Sequence, residues 1–231
     1  MRILVCIPVM VNSVVFDECL KQIVGKPDVH VMILLNGAND DVKNHVKQYE
    51  NGSVKGISIH VNPINEYVTK AWNTFLHFFL HTGFEFDKLI ILNSDLTLGN
   101  GWENIVRYYG DLVIVPTVTD NKLLIEKEKT QPLATSPAPH PPGIFISLSK
   151  EQAKLVYPIP EQIKIWFNDT WIFKILNATG HQAIVVNNLL AFHHHSTTVS
   201  APWANTIIQQ DKKVWPEVEK LLEERIKQLC K

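Results

Sequence analysis

The chain has 231 residues, is 45% hydrophobic and carries 22 Lys and Arg against 23 Asp and Glu. A chain of this size can bury an ordinary core without disulfides or metal, and a formal net charge of -1 offers no broad basic field for general nucleic-acid binding. The three cysteines, Cys6, Cys19 and Cys230, are an odd set without paired spacing. They read as neither a disulfide framework nor a zinc knuckle, and they fit a reducing, cytoplasmic setting.

The opening "MRILVCIPVMVNSVVF" has one basic residue, a proline inside the apolar run and no small-x-small cleavage site, so it reads as a strand and not as a signal sequence. No apolar run reaches the roughly 18 residues that a membrane span needs, and "AWNTFLHFFLH" is interrupted by histidines. Strands are predicted over Arg2–Ile7, Val29–Leu35, Ile57–Val61, Lys88–Leu92 and Leu112–Val115, all rich in Val, Ile and Leu with little polar alternation. That pattern belongs to strands covered on both faces. Helical periodicity lies between them at Val14–Val24, Asp41–Glu50, Tyr67–His81 and Trp102–Tyr109. Alternating strands and helices predict an α/β architecture, a mostly parallel central sheet flanked by helices.

After Pro116 a charged stretch and a run of prolines predict a flexible loop over 117–142. Order resumes with the strand "GIFISL" and a helix opened by "SKEQAKLV", with Ser149 as N-cap and Gln152 as its capping-box partner. A second helix runs from Asn168 to Ala178 and stops at Gly180, which suits the C′ position. A strand pair near Ala183–Phe192 leads into "HHHSTT", and the tail "WPEVEKLLEERIKQLCK" forms an amphipathic helix with Pro216 in its first turn. No internal repeat and no dividing linker appear, so residues 1–231 read as one domain.

Ligands of parallel α/β sheets gather beyond the carboxyl ends of the strands. Asp95 in "KLIILNSDLTLGNGW" stands at such an end. As a turn residue it would bond local backbone; as a ligand it would face the rim, and the stretch alone leaves both open. "LLNGANDD", Asn36 to Asp41, ends the second strand with polar side chains and a glycine that could let a base or ribose approach. Lys70, in the first turn of the helix entered by "NEYVTKAWN", is placed to reach a phosphate, or is simply exposed. Asp169 in "WFNDTWIF" either favours its helix dipole or acts as a base in a partly dry aromatic setting. Three histidines after an apolar strand suit metal or phosphate contacts, yet neither "HExxH" nor a cysteine pair accompanies them.

Taken in order, these segments resemble small GT-A nucleotide-sugar glycosyltransferases of the family 2 type, from Ile3 to about Thr198. "ILVCIPV" and "MILLNGANDD" are similar to that family's first two strands and Asn-Gly turn, and "NEYVTKAWN" to its N-x-G-x-x-K-A-W-N segment. "LIILNSDLTLGNGW" resembles its DxD strand end; "GIFISLSKE", "WFNDTWIFKILNATGH" and "FHHHSTT" resemble its acceptor strand, base helix and C-terminal histidine. The departures are specific. The nucleoside-binding acid is Leu35, the first acid of DxD is Asn93, the Glu of the E-D pair is Asn168 and the glycine of N-x-G is Tyr67.

The resemblance implies a nucleotide-sugar-binding half over 1–116, the 117–142 loop as a lid, an acceptor and catalytic half over 143–200, and a C-terminal helix over 201–231. It implies metal-dependent, inverting transfer from a nucleotide diphosphate sugar, such as a UDP-sugar, to an acceptor hydroxyl. Asp169 would be the base. Pro8, Asn36, Asp40, Lys70, Asn73, Asn93, Ser94 and Asp95 would bind the donor, and Gly143, Trp166 and Asn168 the acceptor side. Asp95 would hold Mn²⁺ or Mg²⁺ with His193 or His195, and Ser196 and Thr198 would complete the histidine motif. The acceptor is a surface-glycan precursor in a small microbial or phage enzyme, or a hydroxymethylated base in phage DNA, read in the host cytoplasm. A DNA acceptor needs a basic path, for which Lys122, Lys127, Lys129, Lys150, Lys154 and Lys164 are the candidates. Two other readings stand: a silent nucleotide-sugar or glycan binding module, suggested by the missing acids, and a nucleotidyltransferase. The latter calls for a Gly-rich basic loop after the first strand, which "PVMVNSVVF" lacks.

Overall fold

The apolar runs become strands that the fold covers on both faces, except the edge strand over Ile57–Asn62, which is only partly covered and leaves Val61 exposed. β1 (Ile3–Val9) shows how: Leu4 and Cys6 enter one core, while Ile3, Val5 and Ile7 enter the other. The period of two along a strand sends neighbours to opposite faces. The computed structural model describes residues 1–11, 13–50, 56–125, 135–138, 140–194 and 202–231.

In chain order the first half comprises β1, α1 (Ser13–Lys21), β2 (Val29–Asn36), α2 (Asp40–Glu50), β3 (Ile57–Asn62), α3 (Tyr67–His81), β4 (Lys88–Leu92), β5 (Leu96–Leu98), α4 (Trp102–Tyr109) and β6 (Ile114–Thr119). The second comprises β7 (Thr135–Pro137), β8 (Phe145–Ser149), α5 (Lys150–Val156), α6 (Asn168–Ala178), β9 (Ile184–His193) and α7 (Pro202–Leu229). A five-stranded sheet runs β3-β2-β1-β4-β8, parallel except for β8 against β4. On one face α3 packs Trp72, Phe75 and Phe79 with α5 and α6. On the other, α1 supplies Phe16 and Leu20, α2 Val42 and Val46, and α4 Trp102 and Ile105.

The α/β architecture with its mostly parallel sheet is as the sequence predicts, and α3, β4, α4 and α6 have the predicted bounds. The Ser149–Gln152 capping box is formed: the Gln152 N–H donates to Ser149 Oγ at 3.3 Å, and the Ser149 N–H to Gln152 Oε1 at 2.8 Å.

Four expectations change. The predicted strand over 112–115 begins at Ile114 instead, because Leu112 is exposed and its carbonyl receives Lys88 Nζ at 2.8 Å. The predicted pair over 183–192 is one strand, β9, which builds an unforeseen second sheet ordered β5-β9-β6 with β7 also paired to β9. The register slips between Pro116 and Thr117, where proline has no N–H to give the ladder. Part of the predicted loop is ordered, since β6 runs to Thr119 and β7 occupies 135–137; residues 126–134 and 139 lie outside the described ones. Finally, Pro216 lies inside the 28-residue α7, at an exposed position where water can meet the carbonyl its ring leaves without a donor.

Candidate functional site

The chain winds outward from β1 through β2 to β3, then returns to place β4 on the other side of β1. Beyond the carboxyl ends of β1 and β4, where that direction reverses, an open α/β sheet has its natural crevice. A cavity of about 270 Å³ lies there. Its walls are the end of β1 (Pro8 to Val11), Asn36 at the end of β2, Asn93–Asp95 after β4, Gly143 before β8, residues 165–169, His193 ending β9 and Trp203 at the start of α7.

Asp95 is 6% exposed. The β5–β9 pairing sets Leu96 opposite His193, which brings the two side chains together. His193 Nε2 lies 3.3 Å from Asp95 Oδ1, without the alignment of a good hydrogen bond, so this buried nitrogen has no aligned partner among the described residues. The Asp95 contact nonetheless raises the imidazole above the ordinary histidine value, against the opposing effect of burial. His194 turns away: its ring nitrogen is 2.9 Å from Thr97 Oγ1 and 3.3 Å from Glu18, and burial pushes its imidazole down. Its backbone N–H donates to the Asp95 carbonyl at 2.9 Å.

A carboxylate oxygen and an imidazole nitrogen thus converge on the cavity. They fit a divalent cation whose other positions go to ligand oxygens and water, and the nitrogen favours Mn²⁺ over the oxygen-seeking Mg²⁺. Among the described residues no third His, Cys, Asp or Glu joins them. His195, Ser196 and Thr198, expected at this site, lie outside the described residues.

Asp169, which lines the same cavity, is half-buried in the first turn of α6. Its carboxylate accepts the Gly143 N–H at 3.1 Å and the Thr170 N–H at 2.8 Å. The absent side chain of Gly143 is what lets this happen, since a Cβ there would sit 2.9 Å from Asp169 Cβ and 2.9 Å from the Trp72 ring. Gly143 therefore makes room for the chain's own acid and indole, where the sequence suggested room for an acceptor. Asn168 is buried, and its amide meets the Thr69 hydroxyl at 2.6 Å; that hydroxyl is also 2.5 Å from the Ile163 carbonyl. One hydroxyl hydrogen serves one acceptor, so the amide end facing Thr69 is best made the donor, which turns its oxygen toward the cavity. In that orientation the unpaired end of the amide is the oxygen; it and Trp72 Nε1 are buried without hydrogen-bond partners among the described residues, and both residues line the cavity.

Pro8, Asn36, Asn93, Ser94, Asp95, Trp166, Asn168, Asp169, Gly143 and His193 therefore meet at one cavity, as the sequence suggests. Three proposed donor-binding residues do not. Asp40 is exposed and pairs with Lys43 at 3.3 Å. Lys70 pairs with Glu66 at 3.0 Å, one helical turn back, outside the cavity lining. Asn73 is buried and clamps the Ile159 N–H and carbonyl, each at 2.8 Å. Gly37 likewise opens no path to a ligand: at φ 64°, its missing Cβ would lie 2.3 Å from the Asn65 nitrogen.

Sequence reasoning missed Asn65, Tyr67, Trp72 and Trp203, which line the cavity, and Asp211, which shapes its wall. Tyr67 adopts φ 65° and faces Trp203 with ring centroids 6.2 Å apart, while Lys164 Nζ lies 4.9 Å from its ring centre. The glycine of the family segment was the available signal, since it marks a left-handed backbone position.

No protein-family profile matches the chain, and no curated protein matches it in sequence. Solved structures do match in fold. The mannosyltransferase PcManGT from Pyrobaculum calidifontis, in complex with GDP-Man and Mn²⁺, superposes with TM-score 0.65 at 12% identity, over 93% of this chain and 64% of that one. GalNAc-T7 with UDP, GalNAc and Mn²⁺ gives TM-score 0.59 at 12% identity, over 94% and 50%. Residues 1–349 of S. aureus TarS give TM-score 0.61 at 14% identity, over 84% and 60%. The chain thus spans less than two thirds of each of these chains, and at such identities the likeness establishes the fold: a GT-A type α/β domain.

Proposed function

We propose that the protein is a metal-dependent, inverting glycosyltransferase that moves a sugar from a nucleotide diphosphate sugar to an acceptor hydroxyl. The observation that carries this reading is the presence of two acids at one crevice. Asp95 meets an imidazole there, and Asp169, held by two backbone N–H groups, lines the same cavity. The fold-neighbours crystallised with nucleotides or nucleotide-sugars and Mn²⁺ support it.

Asp95 and His193 would hold the divalent cation, which supplies charge neutralisation to the departing diphosphate. The β1 end, Pro8 to Val11, with Asn93 and Ser94, forms the nucleotide wall. Leu35, in place of the family's acid, is buried, and Asn36 uses its amide internally on Asn65 and the Tyr67 carbonyl. Base recognition therefore rests on shape and backbone more than on a carboxylate. Asp169 accepts the proton of the acceptor hydroxyl as that oxygen attacks the anomeric carbon from the face opposite the diphosphate. A single displacement inverts configuration, by the geometry that governs water attack in inverting hydrolases. The N–H donors from Gly143 and Thr170 fix the carboxylate and leave it lone pairs for that proton. Trp72, Ile144, Ile165 and Phe167 give the reacting centre apolar walls.

Between the two acceptor classes, a glycan is the better supported. Three lysines of the basic path are engaged by the chain itself: Lys122 with Glu18 at 2.5 Å, Lys164 over the Tyr67 ring at 4.9 Å and Lys150 over the Phe79 ring at 5.9 Å. Lys127 and Lys129 lie outside the described residues.

The test is a screen of UDP-, GDP- and dTDP-sugars for thermal stabilisation with Mn²⁺, followed by donor hydrolysis and transfer. A stabilising donor whose effect vanishes on removing Mn²⁺, and in Asp95→Ala, supports the reading. Equal nucleotide affinity in Asp95→Ala with Mn²⁺ present would remove Asp95 from the metal site.

A further inference from the structure

The segment from Ile163 to Phe167 has neither helix nor strand to satisfy its backbone, yet it forms the cavity wall that delivers Asp169. Thr69 of α3 holds two of its carbonyls, with Oγ1 2.5 Å from the Ile163 carbonyl and the N–H donating to the Lys164 carbonyl at 2.9 Å, and one side chain holds three of its N–H groups. Asp211 of α7 is 1% exposed, and its carboxylate accepts three consecutive backbone N–H groups: Lys164 at 2.9 Å on Oδ1, and Ile165 and Trp166 at 2.8 Å each on Oδ2. A buried acid is tolerated only when its charge is well bonded, and charge-assisted bonds to backbone N–H groups are among the strong ones.

The hold continues along α7. Asp211, Trp215 and Glu219 follow one another at intervals of four residues, a drift of only about 40° per step, so successive side chains are neighbours along one stripe of α7. Trp203 lines the cavity. Trp215 stacks on Phe167 with centroids 4.3 Å apart and planes at 16°. Glu219 pairs with Lys174 of α6 at 2.7 Å. Phe167 adopts φ 69°, a conformation costly for a residue with a side chain, and the chain turns there directly into Asn168 and Asp169. The backbone just before the acid is thus fixed from α7, together with Thr69 of α3, and not by its own secondary structure.

We propose that Asp211 is a positioning residue: by clamping the 164–166 backbone it sets where Asp169 stands relative to the acceptor hydroxyl, making α7 part of the reaction centre. This rests on Asp169 being the base, as argued above. Asp211 itself touches neither donor nor acceptor.

The experiment compares wild type, Asp211→Asn and Asp211→Ala in four readouts: melting temperature, amide hydrogen exchange at 164–166, Mn²⁺-dependent nucleotide affinity, and turnover. Asn retains one oxygen acceptor and sets an NH₂ against an N–H, so its effects should fall between those of Asp and Ala. Exchange protection should fall at 164–166, nucleotide affinity should stay within about twofold, and kcat should drop with an unchanged donor KM. The drop should approach the ~100-fold that an ångström of misplacement costs. If Ala does not fold, Asn alone decides. Unchanged turnover despite lost protection would overturn the inference, as would loss of turnover and nucleotide affinity in parallel. A wild type that binds nucleotide but transfers to no acceptor would refute the function reading. In that case unchanged protection at 164–166 in Asp211→Asn would overturn the clamp as well, and protection lost only there would support it.

Discussion

Gly143→Ala tests the geometry around Asp169 with a single methyl group. The new Cβ would stand 2.9 Å from Asp169 Cβ, 2.9 Å from the Trp72 ring and 3.4 Å from Asp169 Cγ. Ordinary carbon contacts begin near 3.4 Å, so both neighbours, or the 143 backbone, must give by about 0.5 Å, against the close packing of a protein interior. Trp72 is 3% exposed with its ring wedged in the α3 core, so the acid, half-buried at the cavity, is the neighbour freer to move. Overpacking of this kind costs about 1–3 kcal/mol of stability. An acid shifted by half an ångström also loses the 3.1 Å bond from the Gly143 N–H and its aim at the acceptor. Turnover should fall by roughly ten- to a hundredfold. Mn²⁺-dependent nucleotide affinity, which the proposal assigns to Asp95 and His193, should change little. Thermal unfolding, nucleotide calorimetry and steady-state transfer read the three quantities. Wild-type turnover in a stable Gly143→Ala protein would refute the claim that this contact holds the acid in place.

Asp169→Asn keeps shape and removes basicity; turnover should fall about 10²–10⁴-fold with nucleotide binding intact, and the wild-type product should show inverted anomeric configuration by NMR. His193→Ala should weaken Mn²⁺-linked nucleotide binding more than His194→Ala, because His193 faces Asp95 while the His194 ring faces Thr97 and Glu18; equal effects would reduce the run to a structural feature. Lys88 gives a pH prediction. It is fully buried, its Nζ donates to the Gly110 and Leu112 carbonyls at 2.9 and 2.8 Å, and burial lowers its amine from 10.5 to about 8. A neutral amine has two hydrogens, enough for both carbonyls. Between about pH 8 and 10.5 the unfolded chain binds the extra proton, so stability should rise with pH there, by up to about 3 kcal/mol. Below about 8 both states are protonated and this contribution is flat. Chemical denaturation of wild type against Lys88→Met across that range isolates the effect, and parallel curves would assign Lys88 an ordinary amine.

The fold was legible where one local signal settles one element. β4 is four apolar residues behind Lys88 and emerges as predicted. The α6 helix runs from Asn168 to a stop at Gly180, whose φ is 82°. The second sheet was not legible, because its strands are defined by partners. Leu96–Leu98 is too short to announce itself and exists only against Ala191–His193. Yet that pairing is what carries His193 to Asp95. Asp40, Lys70 and Asn73 lie outside the cavity lining for a related reason. Helix register decides which side chains face the crevice, and a motif match fixes register only to within the residues it shares. Asn73 lies on the buried face, where Ile159 uses both ends of its amide.

Tyr67 shows how a substitution can hide a retained geometry. Tyr67 stands where the resembled segment carries glycine, and it takes a left-handed backbone, at φ 65°. For a residue with a Cβ that costs about 1–2 kcal/mol, and the surroundings offset it. Asn65 Oδ1 accepts the Tyr67 N–H at 2.9 Å, Asn36 Nδ2 donates to its carbonyl at 3.2 Å, and the ring settles beside Trp203 under Lys164. Asn36 is therefore occupied in holding this turn, which explains why an amide at the donor rim is not free to read a base. Backbone strain persists where the neighbours over-determine it, and here they do so with an aromatic side chain that the glycine version of the turn does not have. The departure that looks in sequence like a lost binding feature is, in the fold, the same turn with a new wall for the cavity.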